Sequence, residues 1–366
     1  MKQKNMMMVL PVLAVWAALV CGAWFLPDGD ISEAERRPLA QRPALTAEAL
    51  LDGSFMTDFE DWSLDQFPLR DRFRQLKALF HYGALQQKDN NGIYLADGFA
   101  VKQEYPLNKD SLQHALNRFD RVWTKYLEPA GSNVWLAMVP DKGYYLAQSS
   151  GHLSMDYEAM FDTMAAGMPW ATPIDLTGSL TGTDYYRTDT HWRQENLIPT
   201  AQTICQAMGV TGPEAADFTQ TALERPFYGV YYGQAALPME PETVVLMESE
   251  LLDQCTVYDF ESGKTLPVYD RSKLDSRDLY DVFLSGSRSL LTIENPNGIP
   301  GKELIIFRDS FGSSIAPLLV QDYAKVTLVD IRYIQIDLLD RFVAFTGQDA
   351  LFLYSSLVIN HSETIK

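Results

Sequence analysis

Glu303-Leu-Ile-Ile-Phe-Arg-Asp-Ser-Phe-Gly-Ser-Ser314 is the stretch from which the fold is read. The apolar run Leu304 to Phe307 is bounded by charge and stops at Asp309-Ser310, after which Gly312 and Ser313 open a helical segment. That is strand, turn, helix. The segment Ile315 to Tyr323 leads to a second apolar run, Val326 to Val329, so the whole reads as a βαβ unit with Ser310 on its first turn. In an open α/β sheet such a turn lies at the carboxyl edge of the strands, where ligands bind.

A serine hydroxyl is a weak nucleophile at neutral pH and needs a base, itself oriented by a third group. Asp184-Tyr-Tyr-Arg-Thr-Asp-Thr-His-Trp192 supplies both. In extended chain Asp189 and His191, two residues apart, point the same way. Ser310, His191 and Asp189 are therefore the candidate catalytic set. A serine at a strand-to-helix turn is also a common helix cap, and a lone histidine is commonly structural. Gly286 is a candidate oxyanion donor, or an ordinary turn glycine. Tyr186, Arg187, Trp192, Arg332 and Lys142 are candidate pocket residues, the last two because each follows a strand ending at the same edge. No metal-ligand spacing is present, Asp189, His191 and His361 included, and neither a metal nor another cofactor is expected.

Outward from this stretch, Val134 to Val139 reads as a buried strand, and Ser111 to Leu127 carries apolar residues at helical spacing. Tyr157 to Met168 and Gln194 to Met208 read as helices, and Val244 to Met247 and Cys255 to Tyr258 as strands. Helices alternating with apolar strands indicate an α/β sheet. Between residues 47 and 83 two amphipathic helices are expected, around Phe55 to Leu64 and Asp71 to Tyr82. The Arg70, Arg72, Arg74 and Lys77 series reads as a solvated face. Ile93 to Val101 reads as a hairpin about Asp97-Gly98. Phe227-Tyr-Gly-Val-Tyr-Tyr-Gly-Gln234 has the composition of a sugar-contacting loop or of a loop packed on a core.

At 366 residues and 46% hydrophobic content the chain can bury a full core, and its net charge of −18 argues against nucleic acid or an anionic membrane surface as the main partner. Lys2 and Lys4 precede an uncharged run, Met6 to Leu26, which is long enough for the ~20 residues a membrane-crossing helix needs. It spans, or it is a signal peptide; the expected organisation is a signal anchor over residues 1–27, a juxtamembrane linker over 28–46 and an extracytoplasmic domain over 47–366. Cys205 and Cys255 read as two unpaired buried thiols, although an outward location would permit a bond between them.

Taken together and in order, Ser32-Glu-Ala-Glu-Arg-Arg37, Asp65-Gln-Phe-Pro-Leu-Arg-Asp71, Tyr185-Tyr-Arg-Thr-Asp-Thr-His-Trp192, Phe227-Tyr-Gly229, Phe283-Leu-Ser-Gly286, Arg308-Asp-Ser-Phe311 and Val329-Asp-Ile-Arg-Tyr333 resemble the DHHW protein family. The signature is usually Asp-His-His-Trp, and here Thr190 takes the second position. That family is similar to SGNH-hydrolase-like proteins that O-acetylate alginate and other exopolysaccharides beside a membrane-bound O-acyltransferase. There too the Asp-x-His motif precedes the serine.

The resemblance, which begins at about residue 30, implies a three-layer α/β/α domain with a mainly parallel sheet; the one transmembrane helix expected before it is read from the run Met6 to Leu26. It implies Ser310 as nucleophile, His191 as base and Asp189 as orienter. It also implies a polysaccharide or other glycan substrate and a membrane-bound O-acyltransferase as acetyl-donor partner. The same residues also suit a carbohydrate esterase, and a non-catalytic glycan-binding subunit is the remaining alternative.

Overall fold

The computed structural model describes residues 2–32, 34–276 and 278–366; Glu33 of the first motif, Met1, and the side chains of residues 2–5 and 8 lie outside the described residues. The chain forms two compact units. One holds the chain up to Asn91 together with Tyr232–Met239, the other Gly92–Tyr231 with Glu240–Lys366.

In the first unit α1 (Lys2–Phe25), α2 (Ser54–Asp65) and α3 (Arg70–Leu79) are the main helices. The expected anchor is thus a helix, with Pro11 inside it. Among the described residues, however, no helix is long and apolar enough to cross a membrane, so the expected span is not supported. The side chains of Lys2 and Lys4, its expected basic flank, lie outside the described residues. At the foot of α1 the Trp24 ring meets Phe59 and Trp62 at 6.4 and 6.0 Å, and the Arg42 guanidinium lies 4.6 Å over Trp62.

The segment expected as a linker meets these helices through Asp28, Gly29, Arg37, Ala40 and Arg42. Ile31–Ser32 pairs with Arg37–Pro38, and Arg37 grips Asp65 with two hydrogen bonds of 2.7 and 2.6 Å. Those bonds hold the Asp65 carboxyl down at about 2. The basic series of α3 is not uniformly solvated: Arg70 and Arg74 turn inward to Glu35, at 2.5 and 3.0 Å. Burying these cations is tolerated because each finds a carboxylate. Arg72 and Lys77 stay exposed.

The second unit is built on an eight-stranded sheet. Its strands are β1 (Val134–Val139), β2 (Thr172–Ile174), β3 (Thr256–Asp259) and β4 (Lys264–Leu266), then β5 (Leu290–Glu294), β6 (Ile299–Arg308), β7 (Tyr323–Val329) and β8 (Asp349–Ser355). The order is β4-β3-β5-β7-β6-β8-β1-β2. From β7 to β2 neighbours run parallel, and β5, β3 and β4 extend the sheet antiparallel. The sheet is therefore mixed, with its parallel half around β6.

Successive β6 side chains enter two separate cores. Leu304 and Ile306 pack with Ile198, Ala201 and Ile204 of α6 (Ile198–Met208). Ile305 and Phe307 pack with α4 (Lys109–Val122) and α5 (Tyr157–Gly167) through Leu112, Phe119, Met160 and Met164. A strand buried on both faces reads as a continuous apolar run, which is how β6 reads. Asn108 and Asp156 start α4 and α5 by accepting the Ser111 and Ala159 N–H groups. The helix expected from Gln194 is split: a 3₁₀ turn over Gln194–Asn196 precedes α6, whose second residue is Pro199. Cys205 and Cys255 are buried free thiols.

Candidate active site

β6 ends at Arg308 and hands the chain to Asp309-Ser310. Asp309 is fully buried and shapes the turn: one carboxylate oxygen accepts the Phe311 N–H at 3.0 Å, the other the Ser355 N–H at the end of β8 at 2.8 Å. Gly312 is required by contact, because a β-carbon there would lie 2.7 Å from Arg308 Cβ. The N–H groups of Phe311, Gly312 and Ser313 are all spent within the turn. Among the described residues that of Ser310 is not, and its side chain is half-buried.

The acid and base sit on a loop closed on itself. Tyr185 and Trp192 bridge antiparallel, and the Tyr186 N–H donates to the His191 carbonyl at 3.0 Å. Inside it, Asp189 Oδ1 accepts the His191 backbone N–H at 3.0 Å and lies 2.6 Å from His191 Nδ1. A carboxylate only accepts, so Nδ1 carries the proton and the Nε2 lone pair is left facing Ser310 Oγ, 2.8 Å away. The imidazole lies flat on the Tyr280 ring, centroids 3.9 Å apart and planes 11° from parallel.

Further residues fix the loop. Val230 donates its N–H to Asp189 Oδ2 at 2.8 Å, and the chain comes close enough to do so only because residue 229 is glycine. Glu242, buried, accepts the N–H groups of Arg187 and Thr188 and the Thr188 hydroxyl, each at 2.8 Å. On the other side Lys142, also buried, donates to the carbonyls of Tyr186 at 2.9 Å and Arg187 at 3.4 Å, and to that of Ala100. Burial pushes the Lys142 ammonium down to about 7. The Glu242 carboxylate on the amides and the Lys142 amino group on the carbonyls thus hold residues 186–188.

The structure brings Ser310, His191 and Asp189 into one hydrogen-bonded line and distributes the other candidates differently. Trp192 supports the turn from behind, its indole N–H donating to Ser314 Oγ at 2.8 Å. Tyr186 is fully buried against Phe227, at 4.9 Å between centroids. Arg187 contributes its backbone to the clamp, while its guanidinium faces Glu242 at 3.6 Å. The Gly286 N–H is spent on the Phe283 carbonyl at 3.1 Å, and its φ of 79° makes it a turn glycine. Arg332 is occupied by Asp330 in two bonds of 2.9 and 2.7 Å. His361 pairs with Glu104 at 2.7 Å.

In the aromatic stretch, Phe227 and Tyr231 are buried, which matches the core-packed reading of that loop; Tyr228 is exposed. Among the described residues no group of three or more His, Cys, Asp or Glu is placed to hold a metal. Tyr280 and Glu242 were not found from the sequence; neither stands in a pattern that marks it. Phe227-Tyr-Gly229 did carry a signal, the glycine that Asp189 demands.

The fold is mixed α/β with a large central sheet, and it recurs among solved structures. A DHHW family protein from Eubacterium siraeum superposes with a TM-score of 0.58 at 20% identity, over 76% of this chain and 95% of that one. Bacillus cereus PatB1 does so with a TM-score of 0.59 at 17% identity, over 75% of this chain and 98% of that one. PatB1 with a sulfonyl adduct gives 0.58 at 15% identity, over 75% and 96%. At these identities the likeness is one of fold. No family model and no curated protein sequence matches the chain.

Proposed function

We propose that this chain is a cell-envelope polysaccharide O-acetyltransferase of SGNH-hydrolase-like type, working through an acetyl-serine. The observation that carries this reading is the line Ser310 Oγ, His191 Nε2, His191 Nδ1, Asp189 Oδ1, with its two contacts of 2.8 and 2.6 Å. The motif resemblance to the DHHW family, and through it to exopolysaccharide O-acetylation proteins, supports acetyl as the group transferred and a glycan as acceptor.

In the proposed cycle His191 Nε2 takes the Ser310 proton as Oγ attacks the acetyl carbonyl of the donor. The Asp189 carboxylate stabilises the imidazolium. The negative charge on the carbonyl oxygen is met by the Ser310 N–H. Collapse expels the donor's leaving group, which takes the proton from Nε2, and leaves Ser310 acetylated. A sugar hydroxyl then gives its proton to Nε2, attacks the ester carbonyl and departs as the O-acetyl sugar, and the proton returns to Ser310 Oγ. The uncharged run of Met6 to Leu26 supports an anchor in the cell membrane with the site extracytoplasmic, beside a membrane-bound O-acyltransferase that supplies acetyl.

The test is labelling of the full chain in detergent by a fluorophosphonate, with p-nitrophenyl acetate turnover alongside. Wild type should label at Ser310, and Ser310→Ala and His191→Ala should lose turnover by about 10³-fold or more. Equal behaviour of all three would remove catalysis and leave a glycan-binding subunit. Supplying an oligosaccharide to the acetylated enzyme separates transfer from hydrolysis: acetyl on sugar supports the proposal, acetate alone makes the chain an esterase.

A further inference from the structure

Helix α3 is amphipathic in the inverted sense. At its inner side Arg74 and Arg70 reach Glu35, and Ala78 is fully buried. On its outer side Leu69, Phe73, Leu76 and Phe80 are 67, 44, 62 and 55% exposed. The spacing of three and four residues sets Phe73, Leu76 and Phe80 in one stripe along the helix, and Leu69 is the exposed residue just before its first turn. A surface helix ordinarily buries such a stripe and solvates its cations. Here the unit has taken the cations and left the apolar stripe outside.

Three further observations say what covers it. Arg72 and Lys77, both exposed, fall on the two margins of the stripe at the 3.6-residue period, where long cationic chains reach up to headgroup phosphates. The stripe begins where α1 ends: a β-carbon on Gly22 would lie 2.8 Å from Pro68 Cγ, one residue before Leu69. At the end of α1 stands the Trp24, Trp62 and Arg42 cluster, the residue types that favour a membrane–water boundary. With ten residues, about 15 Å at 1.5 Å per residue, α3 is too short to cross a bilayer.

From these we infer that the outer face of α3 lies on the lipid surface, with Leu69, Phe73, Leu76 and Phe80 among the acyl chains and Arg72 and Lys77 at the headgroup phosphates. The inference rests on the anchoring of α1 proposed above. The juxtaposition of an apolar stripe with the end of an apolar helix is its basis.

The experiment uses the full chain with Cys21→Ser, reconstituted into nanodiscs of phosphatidylcholine and phosphatidylglycerol at one copy per disc. A bimane is placed singly by Val12→Cys, Leu76→Cys or Thr163→Cys, and quenched by lipids spin-labelled at shallow or deep acyl positions. Val12 and Leu76 should be quenched several-fold, Leu76 more by the shallow label, and Thr163 not at all. Quenching at Val12 without quenching at Leu76 overturns this inference and leaves the anchor standing. No quenching at Val12 overturns the anchor, and this inference with it. Protection at Leu76 that appears only with two copies per disc would assign the face to a second chain and also overturn it.

Discussion

Gly229 and Asp189 are packed so closely that a β-carbon on the glycine would lie 2.3 Å from Asp189 Cβ and equally close to the Thr188 carbonyl oxygen. Backbone cannot yield as a flexible side chain does, so Gly229→Ala must push the 227–230 segment off the loop and break the Val230 bond to Asp189 Oδ2. We expect a stability loss of about 3 kcal/mol, the upper end of overpacking costs, and a fall in fluorophosphonate labelling of Ser310. Denaturant midpoints and labelling rates check both. Gly178→Ala, which meets nothing within 4 Å, should change neither.

Tyr280 holds the base by its ring and the turn by its hydroxyl, 2.7 Å from Ser314 Oγ. Tyr280→Phe keeps the stack and gives up that bond, so a cost of about 1 kcal/mol and little change in labelling are expected. Tyr280→Ala frees the imidazole, and the labelling rate should fall by about 10- to 100-fold through lost orientation. Equal rates for the two variants would mean that the stack does not position His191.

The Asp309 carboxylate accepts two buried backbone N–H groups, from Phe311 and Ser355. Asp309→Ala orphans both donors, and about 3 kcal/mol of destabilisation is expected, together with loss of labelling at the neighbouring serine. Asp309→Asn keeps one acceptor oxygen and should fall between alanine and wild type. Urea unfolding monitored by tryptophan fluorescence measures the ranking.

Lys142 gives the protein a pH signature. Folded, its ammonium holds a proton only below about 7, whereas the ordinary lysine value is 10.5. Between these values the unfolded chain binds more protons than the folded one, so stability rises with pH through that window, at up to about 1.4 kcal/mol per unit. Lys142→Met should flatten this slope between pH 7 and 10. It also leaves the Ala100, Tyr186 and Arg187 carbonyls without their donor, and labelling of Ser310 should slow. An unchanged slope would show that another group carries it.

The elements around the site were legible because each follows from local periodicity: the apolar runs of β1, β6 and β7, the 3.6-residue spacing of α4, and the same-side placement of Asp189 and His191. β8 was not read from the sequence, although it lies between β6 and β1 and its Ser355 N–H anchors the Ser310 turn. Glu242 and Tyr280 escaped for another reason. Each acts on a loop far from it in the chain, and nothing in its own neighbourhood reports that partner.

The basic residues of α3 mark the boundary between the two kinds of information. Their spacing, and that of the leucines and phenylalanines beside them, is set by the sequence alone, since a helix places every third or fourth residue on one side whatever surrounds it. Which side turns inward is not. Glu35 arrives from a distant segment to meet Arg70 and Arg74, and that ion pairing, a property of the assembled unit, leaves the apolar stripe outside. Ser310 and His191 stand likewise: the chain specifies a turn serine and an Asp-x-His loop, and only the packing of that loop against the turn brings Oγ within 2.8 Å of Nε2.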